Sequence, residues 1–193
     1  MYLVRHGQTA LNAAGVLRGR LDPPLDDVGN REAAALGALF AGVPIDLVVA
    51  SPLRRAVETA TAIAAACGAP VETDILLVDR DYGTFAGQSR GAVEARFGAL
   101  DDAPGVEPAS AVAARALHGL EAIVTKIGSG RAVAVAHDAV NRQLLAELAN
   151  GPLAASGVDA IPQRTGCWNR LERLDQRWTV QVIDAIPGDG RTP

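Results

Sequence analysis

Arg5-His6-Gly7 stands directly after the apolar run Met1-Tyr2-Leu3-Val4. The run has the length of a buried strand, and Gly7 lets the backbone turn sharply at its end. A guanidinium is a permanent bidentate anion clamp, and an imidazole is a nucleophile or proton donor near neutral pH. The arrangement recurs twice. Leu47-Val48-Val49-Ala50 leads into Ser51-Pro52-Leu53-Arg54, where Ser51 suits an N-cap and Pro52 a first helical turn. A helix starting there offers free N–H groups and positive dipole to an anion, with Arg54 leaning over them. Ala132-Val133-Ala134-Val135-Ala136 leads into His137-Asp138 and a helical run carrying Leu144, Leu145 and Leu148. If the three strands are parallel neighbours, Arg5, His6, Arg54 and His137 converge on one carboxyl edge of a sheet, where open α/β folds bind ligands. Such a cluster suits a phosphoryl group.

The elements that must position these residues follow from pattern and punctuation. A helix capped by Asp26 places Ala33, Leu36, Leu39 and Phe40 on one face and stops at Gly42-Val43-Pro44. The helix after Ser51 runs to about Cys67 and stops at Gly68-Ala69-Pro70. Residues 71–77 read as a short third strand. Residues 79–108 are rich in Gly, Asp and Pro and too long for a simple connection, which predicts a functional loop or partial cap with a short helix at 92–97. Pro108 opens a helix to about Ile127, residues 151–164 are irregular, and 167–186 alternate as a hairpin turning at Asp175-Gln176-Arg177. Trp168 and Trp178 are expected to face each other across it as packing residues. The prediction is a three-layer α/β/α sandwich with a mostly parallel central sheet and a C-terminal antiparallel hairpin. One domain spans residues 1–187, with a loose tail at 188–193.

Composition narrows the function classes. A chain of 193 residues, 49% hydrophobic and 21% charged, is long enough for a substantial core and too apolar for disorder. A net charge of −4 lacks the basic field of a general nucleic-acid binder. No apolar run approaches the ~20 residues of a membrane span. The first strand begins at once, leaving no room for a signal peptide, and Cys67 and Cys167 read as buried thiols, so a cytoplasmic protein is expected. The edge of the hairpin could pair two chains as a homodimer.

Leu3-Val4-Arg5-His6-Gly7-Gln8-Thr9 with Asn12, Ser51-Pro52-Leu53-Arg54, and His137 after its strand resemble the histidine phosphatase superfamily, in its phosphoglycerate-mutase-like branch. Gly19, Asp22, Pro24-Leu25, Gly29, Asp81-Tyr82-Gly83 with Gly87, and Asn141-Arg142 match further, so the resemblance covers nearly the whole chain. It implies that His6 accepts the phosphoryl group as a phosphohistidine. Arg5, Arg54 and His137 would bind its oxygens, with Asn12 a further contact, and no metal or other cofactor is required. His6 must be neutral at its attacking nitrogen while His137 serves better protonated, so their pKa values should be pushed apart.

Two departures stand out. The family's general-acid glutamate falls at Asp79, one methylene shorter, with Asp81 as a second candidate. The glycine-rich stretch after the second histidine is replaced by Asp138-Ala139-Val140, where the Asp138 N–H still offers a phosphate donor. The resemblance implies a phosphatase acting on small-molecule phosphate esters. Its alternatives are a phosphoglycerate-mutase-type phosphoryl transfer, disfavoured because the mutases carry longer insertions and a longer tail, and a catalytically inactive module that binds phosphate esters.

Overall fold

The computed structural model describes residues 1–149, 157–175 and 177–193. In chain order the elements are β1 (Tyr2–Arg5), α1 (Ala10–Ala13), α2 (Asp27–Phe40), β2 (Leu47–Ala50), α3 (Arg54–Cys67), β3 (Val71–Thr73), α4 (Arg90–Phe97), α5 (Ala109–Ile127), β4 (Ala132–Ala136), α6 (Asp138–Leu148), β5 (Trp168–Leu174) and β6 (Arg177–Ala185). The strands form one sheet ordered β3-β2-β4-β1-β5-β6. β1, β2, β3 and β4 are mutually parallel, and β5 and β6 close the sheet as an antiparallel hairpin.

Every residue of β1, β2 and β4 is buried, as expected of parallel strands covered on both faces. The two-residue strand period sorts them. Leu3, Leu47, Val49, Ala132, Ala134 and Ala136 pack with Val112, Leu120 and Leu144 of α5 and α6. Tyr2, Val4, Val48, Ala50, Val133 and Val135 pack with Leu36, Phe40, Ala60 and Ile63 of α2 and α3. These are the three layers that the sequence predicts. Small alanines in β4 leave room for the helices to lie close to the sheet.

Some expectations change. The third strand ends at Thr73, because Asp74 caps a 3-10 turn over Ile75–Leu77 by accepting the Leu76 N–H (2.8 Å). Trp168 and Trp178 do not face each other: Trp168 pairs with Ala185 and Trp178 with Arg173. They pack in the clusters on opposite faces of the sheet. The hairpin register shifts between Trp168 and Leu171, which alternation alone does not reveal. The stretch 79–108 is built around its own small core of Leu17, Tyr82, Phe85, Val93, Leu100, Ala103 and Val106. Of the irregular segment expected at 151–164, residues 151–156 lie outside the described residues, as does Gln176 of the hairpin turn. Among the described residues Cys67 and Cys167 are free thiols, and no helix is long and apolar enough to cross a membrane.

Candidate active site

Parallel pairing brings three strand ends together. Arg5 stands opposite Ala136, and Ala50 opposite Val135, so His6, His137 and Ser51 leave the sheet side by side. The His6 N–H donates to the Ala136 carbonyl (3.1 Å) and the Ser51 N–H to the Val135 carbonyl (2.9 Å), carrying the ladder to the point of departure. The imidazole centroids of His6 and His137 lie 5.0 Å apart, and both rings are fully buried.

Beyond His6 the chain can turn only because Gly7 packs against α2 backbone to backbone. A Cβ on Gly7 would sit 2.5 Å from the Gly29 carbonyl oxygen, and one on Gly29 2.0 Å from that of Gln8. The Gly7 N–H donates to Thr59 Oγ1 (3.1 Å), whose hydroxyl donates to the Arg55 carbonyl (2.8 Å). The Gly7 carbonyl lies 2.6 Å from His6 Nδ1. A carbonyl only accepts, so Nδ1 carries the ring proton and Nε2 keeps its lone pair. Arg55 Nε–H donates to that lone pair at 3.2 Å.

The arginine that reaches His6 is thus Arg55, and the expectation for Arg54 is corrected. The helix begins later than the Ser51 cap implied. Ser51 Oγ is 2.7 Å from His137 Nε2 and accepts the Leu53 N–H (3.3 Å), while the Asp22 carboxylate takes the Arg54 N–H (2.6 Å) at the start of α3. From there Arg54 runs along the outer face to Glu58 one turn on (2.7 Å), with its side chain 61% exposed. Arg55, Thr59 and Ile63 form the buried stripe. Helical spacing back from Thr59 and Ile63 was the signal that distinguishes the two arginines. Arg55 also donates to the carbonyls of Leu21 (2.7 Å) and Gly19 (3.0 Å) and to Asp79 Oδ2 (3.0 Å).

Asp79 is buried, and its Oδ2 lies 3.8 Å from His137 Nδ1. Asp81 instead accepts the Gly83 N–H (2.8 Å) and pairs with Arg20 (3.3 Å) at the surface. The structure therefore brings Asp79 into the cluster and leaves Asp81 out. Asp138 opens α6, but its carboxylate turns to Arg5 (3.3 Å) and Arg142 (3.0 Å). Arg5 also donates to the carbonyl of Gln163, whose side chain is held by Asn141 and Asn169 in a buried amide network. Neither Thr59 nor Gln163 announces itself in sequence, since both act through backbone contacts made only on folding. Asn12 sits at N3 of α1; its Oδ1 accepts the Thr9 N–H (3.0 Å). Arg5 Nε, Asn12 Nδ2 and His137 Nδ1 are buried with no hydrogen-bond partner among the described residues. A cleft of about 430 Å³ borders this cluster at Asp138 and Ala139, lined also by Arg80, Tyr82, Arg90 and Arg142.

Burial, then the guanidiniums of Arg55 and Arg5, holds His6 well below the ordinary imidazole range. Burial, then Arg55 and His6, does the same to His137. The rings are thus pushed the same way, not apart, because both are buried and the same cations act on both. Burial raises the Asp79 carboxyl against the opposing pull of Arg55, the direction a proton donor needs.

Stability should respond to pH accordingly. The unfolded chain protonates each ring near pH 6.5, the folded chain only at lower pH, so this contribution is complete above 6.5 and is lost as pH falls through the window below it. The limiting slope is about 1.4 kcal/mol per pH unit per histidine. Asp79, raised above its ordinary 3.8, acts with the opposite sign and offsets part of the loss at the acid end. Urea midpoints are expected to fall from pH 7 to pH 5, and to fall less in His137→Gln. A midpoint flat over that range would show the rings are not held neutral.

Residues 1–185 match the family described as the histidine phosphatase superfamily, branch 1. The uncharacterized phosphatase PhoE of Bacillus subtilis is 28% identical over 181 residues, covering 93% of this chain and 91% of that one. The metal-independent phosphoserine phosphatase of Arabidopsis thaliana is 28% identical over 191 residues, covering 92% and 78%. Among solved structures, the mycobacterial glucosyl-3-phosphoglycerate phosphatase in complex with VO3 superposes with a TM-score of 0.82 at 26% identity, covering 96% and 98%. With buried histidines at neighbouring strand ends and a match over nearly its whole length, the chain belongs to the histidine phosphatase superfamily, branch 1.

Proposed function

We propose that this protein is a metal-independent phosphatase that hydrolyses small phosphomonoesters through a phosphohistidine at His6. By its family and its phosphatase relatives the chain is a hydrolase of phosphate esters; the covalent route is carried by one observation. The Gly7 carbonyl fixes the His6 proton on Nδ1 and leaves the Nε2 lone pair pointing at Arg55. On substrate binding Arg55 transfers its N–H from that lone pair to a phosphoryl oxygen, and Nε2 attacks phosphorus as the ester P–O bond breaks. The leaving oxygen takes its proton from Asp79. The Gly7 carbonyl stabilises the cationic phosphoimidazole through Nδ1–H. Water then attacks phosphorus, Asp79 takes back a proton, and the P–N bond breaks to return neutral His6 and inorganic phosphate.

Arg5 Nε, His137 Nδ1–H and Asn12 Nδ2 are the donors left for the phosphoryl oxygens, joined by the Asp138 N–H at the start of α6. Ser51 is placed to support this His137 tautomer: with its hydroxyl proton donated to Nε2, the ring proton sits on Nδ1. The adjoining cleft, with three arginines and several carboxylates on its walls, suits a polar leaving group. Relatives named for phosphoserine and for glucosyl-3-phosphoglycerate fit that character.

The test is turnover of an aryl phosphate in EDTA, followed by denaturing quench during the steady state. Phosphate bound to the chain that survives alkali and is released by acid is the expected product, since a phosphoramidate has that stability. Turnover in EDTA with no such adduct, even in Asp79→Asn where its breakdown should be slowed, would overturn the covalent route.

A further inference from the structure

The cleft that borders the reacting cluster has three guanidiniums on its walls, those of Arg80, Arg90 and Arg142. Each is engaged by the protein itself. Arg142 Nε donates to the Asp138 carboxylate (3.0 Å), and its Nη1 to the carbonyls of Asp159 (2.7 Å) and Ile161. Arg80 pairs with Asp101 through Nη2 and donates from Nε to the Glu107 carbonyl (2.8 Å). Arg90 is held between two carboxylates, Glu94 through Nε (2.6 Å) and Asp159 through Nη2 (2.7 Å). The side chains of Arg80 and Arg142 are only 9% and 19% exposed, so backbone carbonyls and burial fix both where they lie.

The balance of charge on these walls is therefore negative, with Glu94, Asp101, Asp138 and Asp159 set against the three arginines. No other cation lines the cleft among the described residues, and residues 150–156 and Gln176 carry no charged side chain that could add one. An ester whose phosphoryl group lies at His6 must place its alcohol in a space without a free cation. A carboxylate on that alcohol would have to displace an internal carboxylate from its arginine, or lie desolvated beside Asp138 and Asp159. A hydroxyl or an ammonium meets no such penalty, because carboxylate oxygens accept hydrogen bonds from either. Asp138 stands at the junction of cleft and cluster. Its Oδ1 accepts from Arg142 on the wall and from Arg5 in the cluster (3.3 Å), while its backbone opens α6 directly after His137. An uncharged side chain at 138 would leave Arg142 with carbonyl partners alone and a full positive charge on the cleft wall.

We propose that the cleft selects phosphomonoesters whose alcohol carries no negative charge, and that Asp138 sets this selectivity by neutralising Arg142 where the cleft meets the reacting cluster. The inference rests on the phosphatase reading and narrows its leaving group. A carboxylated ester shares the polarity that the cleft suits, but it brings a charge that no free cation there can meet.

Two pairs of probes isolate the carboxylate: glycerol 3-phosphate against 3-phosphoglycerate, and phosphoethanolamine against phosphoserine. Each ester is assayed for phosphate release and as a competitor of aryl phosphate turnover. The proteins are wild type, Asp138→Asn, Asp138→Ser, and Glu94→Gln combined with Asp159→Asn. In wild type, kcat/KM (or 1/Ki where an ester only competes) is expected to favour the member without the carboxylate by about tenfold or more, the scale of one unmatched charge. Both Asp138 variants are expected to narrow that preference by about tenfold, since Arg142 then has a charge to offer. The double variant should narrow it through Arg90, independently of residue 138. A merely structural Asp138 would lower Tm and act on both members of a pair alike, leaving their ratio unchanged. A wild type indifferent to the carboxylate, or preferring it, would overturn the selectivity. A ratio unmoved in whichever Asp138 variant folds would overturn the role of Asp138. Turnover of the aryl phosphate with none of the four esters turned over or competing would overturn the placing of the leaving group in this cleft. Failure of the phosphatase reading looks different: the wild type would not turn over even the aryl phosphate.

Discussion

Arg55→Ala is expected to lower kcat/KM for a phosphomonoester by about 10²–10³, while Arg54→Ala leaves it within about twofold, because only a preorganised charge aimed at the reacting oxygens carries an effect of that size. The two residues are adjacent and chemically identical, so the contrast isolates position. Arg55 has all three of its guanidinium nitrogens engaged, with His6, Asp79, Gly19 and Leu21 as partners. Arg54 is mostly in solvent and tied to Glu58, a surface pair worth little. Stability separates them too. Arg55→Ala strands the buried Asp79 carboxylate without its cation, and breaking such a buried pair costs about 3–5 kcal/mol, whereas the exposed pair should cost about 0.5 kcal/mol. Where Arg55→Ala proves too unstable to assay, Arg55→Lys keeps the charge but cannot span four acceptors from one ammonium; a loss of more than tenfold in kcat/KM is expected. Steady-state kinetics and urea unfolding on both arginine variants check the pair of claims. Equal losses at the two positions would remove Arg55 from the site.

His6→Ala is expected to reduce kcat by about a thousandfold or more, a barrier change of about 4 kcal/mol, as removal of a nucleophile does elsewhere. The anion site should outlast the change. Arg5, Arg55 and His137 each keep partners independent of the His6 ring: Gln163 and Asp138, Asp79 and the loop carbonyls, and Ser51. Inorganic phosphate is therefore expected to bind His6→Ala within about fivefold of wild type, while turnover vanishes; only interactions made in the transition state would be lost. Removing a fully buried ring leaves a cavity, so a modest fall in Tm accompanies the change. It is distinguishable from loss of fold by retained phosphate binding. Activity within tenfold of wild type would show that His6 is not the nucleophile.

Much of this site was legible before folding was considered. Runs of Val, Leu and Ala ending in Arg5-His6, Ser51 and His137-Asp138 identify strands that end in chemistry, because a strand buried on both faces must be continuously apolar and its polar residues are pushed to the edge. The Asp26 cap and the glycine stops set the helices by local rules, and the alternating segment near the C-terminus gave the hairpin. What stayed hidden was decided by contacts between distant segments. Whether α3 begins at Ser51 or Arg54 depends on two distant partners, the Asp22 carboxylate that takes the Arg54 N–H and the His137 imidazole that engages the Ser51 hydroxyl, and that shift carries the guanidinium from Arg54 to Arg55. The choice of Asp79 over Asp81 rests on which carboxylate meets Arg55 in the interior. Both histidines are pushed below the ordinary imidazole range first by burial and then by the Arg55 guanidinium that acts on both. Sequence by itself determined the fold class, the strand ends and the kind of group they bind, since those follow from hydrophobic pattern and residue chemistry. Only the tertiary structure decided which of two neighbouring arginines and aspartates face the reaction, since a single residue of rotation along a helix or loop turns a side chain from solvent to core.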